Sequence, residues 1–357
     1  MSSAKKLIKS TAIWVLTCVG MIVILQLSGK FPGLIDRIYH RGIFQMIRWV
    51  FDYTLGLLPF PTVYLFIILL LILASRFFKR LMGRTSSFKS ELLRLTRFVS
   101  ILVFLFYFLW GLNYKQTPVE KQVHLDIPTM TDEDISNEFF QTNQELNSII
   151  QRLELQNWSL DSLMQRRFHE KEARQAIKNV LTQFGYPTPG KVRGRLLSPK
   201  GTLLIWNTAG IYIPFAGEGH VDRGLLPFQY PFVMTHEMAH AYGITDEGSC
   251  NFLAYLACRE DPNLFIQFGG IFGYWRYVAS EYRRSFPEKY QEEFNTMHPL
   301  LIACINAVHE NNQKYPEIMP KVRYHAYDQY LKAQGIAEGM RNYSRVVKLV
   351  YAWRLRN

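Results

Sequence analysis

Two histidines and a glutamate near the middle of the chain have the spacing of a metal centre. His236, Glu237 and His240 form a His-Glu-x-x-His motif. On a helix, residues four apart lie on one face, so both imidazoles can bind one metal ion while Glu237 lies beside them. A catalytic zinc takes three protein ligands and a water, and a neighbouring carboxylate accepts the proton that the water loses. The motif therefore predicts a zinc-dependent hydrolase site with Glu237 as the general base.

The third ligand must come from the residues that follow the motif. Gly243 is a natural helix stop, because glycine readily adopts the left-handed conformation that ends a helix, and the chain can then turn back toward the metal. Asp246 as the ligand would give a metzincin-like pattern. Glu247 would give a gluzincin-like pattern, with Asn251 one helical turn later orienting a ligand histidine. The helical run that starts near Asn251 favours Glu247, and Asp246 is the alternative.

The motif also has less specific explanations. Two core histidines with ordinary hydrogen bonds would show the same spacing, and a bound metal can have a purely structural role. The neighbours Met238 and Ala239 are uncharged, as expected of a buried site helix. A structural zinc site usually closes its fourth position with protein and needs no base, so Glu237 favours a hydrolase. The alternative function is a non-catalytic metal-binding scaffold or assembly module of the cell envelope.

A zinc hydrolase also benefits from a hydrogen-bond donor directed at the developing oxyanion. The candidate donors lie in the region after the motif, which is predicted to be helical to its end. They are Tyr277, Arg323, Tyr324, His325 and Tyr327. Tyrosines at such spacings more often belong to a core, and the sequence does not distinguish one of the five.

The first third of the chain predicts a membrane domain at residues 1–114. The protein has 357 residues, a net charge of +12 and 48% hydrophobic residues. Apolar runs at about 11–27, 55–74 and 98–113 are each predicted to cross a bilayer, which needs about 20 apolar residues. Basic residues flank these runs and explain the positive charge. The predicted partner is therefore a lipid bilayer and not nucleic acid.

The distribution of basic residues predicts the orientation. Ten lysines and arginines lie in the N-terminus and in segment 76–97, against four in the first loop. The positive-inside rule places the ten in the cytoplasm and everything after Tyr114 outside the cytoplasmic membrane. A signal peptide is disfavoured, because no small-residue cleavage site follows the first apolar run. Residues 31–50 are predicted to form an interfacial amphipathic helix.

The rest of the chain predicts a linker at 115–130 and an α+β, mostly helical domain at 131–357. Helices are predicted from an N-cap at Thr131 to about 153 and from 160 to 184. A small sheet just before the motif is predicted from strand patterns at 192–197, 202–206 and 210–215. An edge strand can bind an extended chain, so the predicted substrate is a peptide or protein. The sequence predicts no oligomeric state.

Together these segments resemble an uncharacterised bacterial family of membrane proteins, a domain of unknown function with three N-terminal spans and an external HExxH domain. The resemblance rests on segments 110–114, 214–218, 236–240, 251–256 and 327–332. It implies a membrane-anchored, zincin-like metallopeptidase that binds zinc, and it supplies no substrate. Relatives commonly have acidic residues at the positions of both Glu247 and Ser249, so the serine here leaves Glu247 as the acidic candidate.

Overall fold

The computed structural model describes residues 3–83 and 85–356, so Arg84, one of the ten basic residues counted above, lies outside the described residues. The chain forms two compact units. The N-terminal unit contains the residues up to Thr117 together with Ile213–Gly217. The C-terminal unit contains Pro118–Tyr212 and the residues from Glu218 onward. Most of the described residues are helical, and they include one small sheet.

The N-terminal unit is built from helices. They are α1 (Ser3–Ser28), α2 (Pro32–Leu34), α3 (Phe44–Tyr53), α4 (Val63–Met82) and α5 (Phe88–Leu109), and a π-helix at Ile35–Ile43 leads into α3. Near the starts of α1 and α5, the Thr11 hydroxyl donates to the Leu93 carbonyl at 3.2 Å. Beyond the end of α1, the Tyr39 hydroxyl donates to the Phe108 carbonyl at 2.8 Å. Thus α1 and α5 run parallel. The chain between them therefore returns from the C-terminal end of α1 to its N-terminal end before α5 begins.

Among the described residues, two helices are long and apolar enough to cross a membrane, Ala4–Ser28 and Phe88–Leu109. They correspond to the first and third predicted spans. The prediction of three spans is wrong by this criterion. Pro59 and Pro61 exclude residues 55–62 from α4, because proline lacks the backbone N–H that a helix needs. Basic residues from Arg76 onward then shorten the apolar part of α4.

The C-terminal unit contains the remaining helices and the sheet, except that Ile213, the last residue of one strand, belongs to the N-terminal unit. Its first helices are α6 (Val119–Gln122), α7 (Asp132–Leu155), α8 (Leu160–Gln165) and α9 (Glu170–Gln183). The strands are β1 (Gly194–Leu197), β2 (Gly210–Ile213) and β3 (Glu218–Asp222). The later helices are α10 (Tyr230–Ala241), α11 (Glu247–Arg259), α12 (Leu264–Ser285), α13 (Pro287–Thr296), α14 (Pro299–Gln313), α15 (Pro320–Ala333) and α16 (Arg345–Arg356), with a 3₁₀ turn at Gly339–Ser344 before α16.

Several predicted elements of this unit are confirmed and others are wrong. Helix α7 begins at the predicted N-cap, since Thr131 and Asp134 form a capping box. The predicted helix 160–184 is two helices, α8 and α9, with an extended break at 166–169. The predicted strand 202–206 is a turn that leads into a 3₁₀ helix at Leu204–Trp206, and the Asp222 carboxylate accepts hydrogen bonds from the backbone N–H groups of Leu203 and Leu204.

The sheet has the order β1-β3-β2, and β1 is parallel to β3, with Gly194 opposite Gly219. Strand β2 therefore lies at an edge. Helix α10 packs against β3, and α11 packs against both α10 and α12. Nearly every residue of α10 and α11 is buried, so the motif lies in the centre of the hydrophobic core.

Candidate metal centre

The predicted ligands converge on one point. His236 and His240 come from α10, and Glu247 is the first residue of α11. The two Nε2 atoms lie 3.1 Å apart, and each lies 3.2 Å from Glu247 Oε2. Zinc binds such atoms at about 2.0–2.2 Å, so two ligand atoms of a tetrahedral site lie about 3.3–3.6 Å apart. The three buried side chains therefore form a group that can hold a metal ion.

The other nitrogen of each imidazole is held by a hydrogen bond. His236 Nδ1 lies 2.8 Å from Asn251 Oδ1, and His240 Nδ1 lies 2.8 Å from the Ile244 carbonyl. Both acceptors require an N–H at Nδ1, so Nε2 of each ring faces Glu247. The Nε2 and Oε2 lone pairs that converge in this way repel one another unless a proton or a metal cation lies between them. This arrangement fits a metal ion, and Asn251 has the orienting position predicted for it.

Asp246 has a different role from its neighbour. Its carboxylate caps α11, accepting from the Ser249 backbone N–H at 2.7 Å. It also accepts from Asn342 Nδ2 at 2.8 Å and from Arg345 at 2.9 Å. With these bonds, Asp246 is part of the helix cap, and the structure brings Glu247 to the histidines instead.

Glu237 lies between helix α10 and the sheet. An added Cβ at Gly210 would lie 2.5 Å from Glu237 Oε1, and one at Gly219 would lie 2.8 Å from Glu237 Cβ. Only glycine permits so close an approach of β2 and β3 to the helix. The carboxylate of Glu237 is thus held next to edge strand β2. Its Oε2 is buried and has no hydrogen-bond partner among the described residues.

The charges of these groups depend on burial and on one another. Burial lowers the pKa of His236, which favours the neutral, metal-binding ring. Burial opposes the charge on His240, but Cys250 and Glu247 raise the pKa of this ring well above its usual value. Burial also opposes the charge on Glu247, but His240 and His236 lower its pKa. The three-residue group therefore attracts one positive charge, which a proton on His240 or a metal cation can supply.

Burial raises the pKa of Glu237 to about 8, and Glu247 contributes to this increase. A cation bound nearby would favour the ionised carboxylate, because opposite charges attract strongly in a buried site. The same cation would thus prepare Glu237 to accept a proton.

Two of the five predicted oxyanion donors lie close to the metal ligands. The Tyr327 hydroxyl donates to Glu247 Oε1 at 2.9 Å. Burial and the adjacent Glu247 carboxylate raise the pKa of Tyr327, so its hydroxyl keeps the proton that it donates. Burial raises the pKa of Tyr277, and the nearby side chain of Asn251 lowers it. Tyr327 therefore contacts a predicted metal ligand directly, whereas Tyr277 lies near the residue that orients His236.

The other three candidates have different surroundings. Arg323 donates through Nε to Glu317 at 2.5 Å, and Tyr324 is 50% exposed. His325 is also exposed. All three lie on α15 with Tyr327, but Arg323 pairs with Glu317 and the other two side chains are exposed, so the structure does not support them as donors to the site.

The structure also shows site residues that the sequence did not suggest. The Tyr343 hydroxyl lies 3.2 Å from the Tyr327 hydroxyl, and its carbonyl accepts from Asn251 Nδ2 at 3.2 Å. Asn342 accepts from the backbone N–H of Gly248 at 3.0 Å. These residues come about 95 positions after α11 begins, so no local pattern connects them with the motif.

A comparison with protein-family models matches residues 39–351 to a family described as "Protein of unknown function (DUF3810)". The match covers most of the chain and includes the whole HExxH region. The chain belongs to the DUF3810 family. No curated protein and no solved structure matches it. The expected resemblance to an uncharacterised family is confirmed. The zincin-like domain stays a prediction, and the structure shows a buried group of His236, His240 and Glu247 that could hold a metal ion.

Proposed function

We propose that this DUF3810 protein is a membrane-anchored, zinc-dependent metallopeptidase with a gluzincin-like site. The observation that carries the proposal is the convergence of His236, His240 and Glu247, with the Glu237 carboxylate on the same helix and edge strand β2 beside it. Two imidazoles and one carboxylate leave a fourth position open, which is typical of catalytic zinc sites and not of structural ones.

Each part of the site has a task in peptide hydrolysis. A bound zinc ion would polarise the scissile carbonyl and lower the pKa of water in the site. Glu237 accepts a proton from the attacking water through Oε2 and passes it to the leaving amine as the C–N bond breaks. Strand β2 lies at an edge of the sheet, where an extended substrate would bind as an added strand, and Gly210 brings β2 next to Glu237.

We also propose that the site lies outside the cytoplasmic membrane. The parallel helices α1 and α5 both carry basic residues near their starts, namely Lys5, Lys6 and Lys9 in α1 and Lys89, Arg94 and Arg97 in α5. The positive-inside rule places these ends in the cytoplasm. Because both helices run in the same direction, this orientation requires the chain between them to cross back, through the apolar first part of α4. The chain then leaves α5 on the opposite side, and the C-terminal unit follows there.

The test is the isosteric substitution Glu237→Gln in the full-length protein. Gln cannot accept the proton, and the three ligands remain. We expect bound zinc to stay at the wild-type level while cleavage of a peptide library falls by about 10²–10⁴-fold, the usual contribution of general acid–base catalysis. Glu260→Gln is the matched control, because Glu260 is exposed at the end of α11, and it should retain both zinc and cleavage.

The same variant separates the proposed enzyme from a non-catalytic scaffold. If Glu237→Gln fully replaces the wild-type protein in cells that require it, the metal has a structural role and the peptidase proposal fails. Loss of function in cells with zinc still bound would support catalysis.

A further inference from the structure

The two carboxylate oxygens of Glu247 have separate partners. Oε2 faces the Nε2 atoms of both histidines at 3.2 Å, whereas Oε1 accepts the hydroxyl of Tyr327 at 2.9 Å. Tyr343 lies behind Tyr327, with 3.2 Å between the two hydroxyl oxygens. Tyr327 comes from α15 and Tyr343 from the 3₁₀ turn before α16, so the C-terminal part of the chain holds the oxygen that faces away from the histidines.

The direction of these hydrogen bonds follows from donor and acceptor chemistry. An ionised carboxylate only accepts, so the Tyr327 proton must go to Glu247. The oxygen of Tyr327 then accepts from Tyr343, which is the donor of the second bond. Tyr343 also accepts from Asn251 through its carbonyl, and Asn251 orients His236. Tyr343 therefore contacts, through one intermediate residue each, two of the three predicted ligands.

We infer that Tyr327 and Tyr343 are positioning residues that make Glu247 bind the metal through one oxygen only. The inference rests on the proposed function. Carboxylates can bind a metal ion through one oxygen or through both. Binding through both would occupy the position that a hydrolytic zinc site keeps open. Because the Tyr327 proton is already donated to Glu247, Tyr327 serves the ligand and not the oxyanion of a substrate.

The experiment measures the affinity of the full-length protein for Zn²⁺ alone, by competition with a chelator. Tyr327→Phe removes one hydroxyl and keeps the ring, and we expect it to weaken zinc binding about 10–100-fold, as is usual when the hydrogen-bond partner of a ligand is lost. Tyr343→Phe should weaken binding less, because it acts through Tyr327. Tyr324→Phe is the control, since this exposed tyrosine lies on the same helix, and its affinity should equal that of the wild type.

A second measurement distinguishes positioning from a general loss of structure. Co²⁺ in the same site reports its coordination number through the intensity of its visible absorption, which falls when a fifth ligand atom binds. Tyr327→Phe should lower this intensity, and Tyr324→Phe should not. Wild-type affinity together with a wild-type Co²⁺ spectrum in Tyr327→Phe would overturn the positioning role alone. A wild-type protein that binds no Zn²⁺ would overturn both this role and the proposed function.

Discussion

The two adjacent acids at the start of α11 can be distinguished by their effect on stabilisation by zinc. Glu247 Oε2 lies 3.2 Å from both histidine nitrogens, whereas Asp246 caps the helix and pairs with Arg345. Glu247→Gln replaces a ligating carboxylate with a neutral amide, so we expect the stabilisation by zinc to be lost. Asp246→Asn changes the cap and the ion pair but none of the three ligand atoms, so we expect the stabilisation to remain.

The size of the effect follows from mass action and from the size of the unit. A ligand that binds only the folded state, at 100 times its Kd, stabilises that state by about 2.7 kcal/mol. The C-terminal unit has about 235 residues, and in a domain of this size 1 kcal/mol changes the Tm by about 2–4 °C. Zinc at that concentration should therefore raise the Tm of the wild type and of Asp246→Asn by roughly 5–11 °C. For Glu247→Gln the increase should be close to zero.

The assay is thermal unfolding of the full-length protein in detergent, after treatment with a chelator, with and without added zinc. The Tm with zinc is compared with the Tm of the same variant without zinc. An effect of the substitution on the metal-free protein therefore does not enter the difference. Mg²⁺ is the control ion, because it prefers sites made of oxygen ligands, and it should not raise the Tm. If zinc raises the Tm of Glu247→Gln as much as that of the wild type, or does not raise the Tm of Asp246→Asn, Glu247 is not the third ligand.

Two further substitutions test the fold that positions the site. Gly219→Ala would place a Cβ 2.9 Å from the Glu237 carbonyl oxygen and should lower the free energy of unfolding by about 1–3 kcal/mol in urea titrations. Gly20→Ala is the control and should not lower the free energy of unfolding, because its added Cβ would have no atom within 4 Å. Equal stability of the two variants would contradict the close packing of Gly219 against Glu237. Thr131→Ala removes the cap of α7 and should cost about 0.5–2 kcal/mol in the same titration. Thr131→Ser should restore most of this loss, and no difference between the two Thr131 variants would argue against the cap.

Features that depend on neighbours in the chain were predictable from the sequence. His236 and His240 share a helix face because of the helical period, and Thr131 begins α7 because its side chain bonds a backbone N–H three residues later. The apolar segments at Ala4–Ser28 and Phe88–Leu109 were recognisable by length and composition. The second predicted span does not meet the same criterion, because α4 begins only after Pro61 and carries basic residues from Arg76 onward, near its end.

Strand β3 was not predicted, because its residues do not have the composition of a strand. Only Val221 belongs to the types enriched in strands, which are valine, isoleucine, threonine, tyrosine, phenylalanine and tryptophan. This segment becomes a strand by pairing with β1, which is 24 residues earlier in the chain, with Arg195 opposite His220. The pairing partner lies outside any local window, so only the folded chain reveals it.

The sequence by itself determined that a helix offers two imidazoles and a glutamate, and that two acids follow it. The tertiary structure decided which of the two acids completes the group. Asp246 is the N-cap of α11, and its extended backbone directs its carboxylate to the Ser249 N–H, whereas Glu247 is the first residue of the helix and faces the histidines. Asn342 and Arg345 bind Asp246 on one side, and Tyr327 holds Glu247 on the other. These partners lie 80 to 99 residues further along the chain, and only folding brings them to the start of α11.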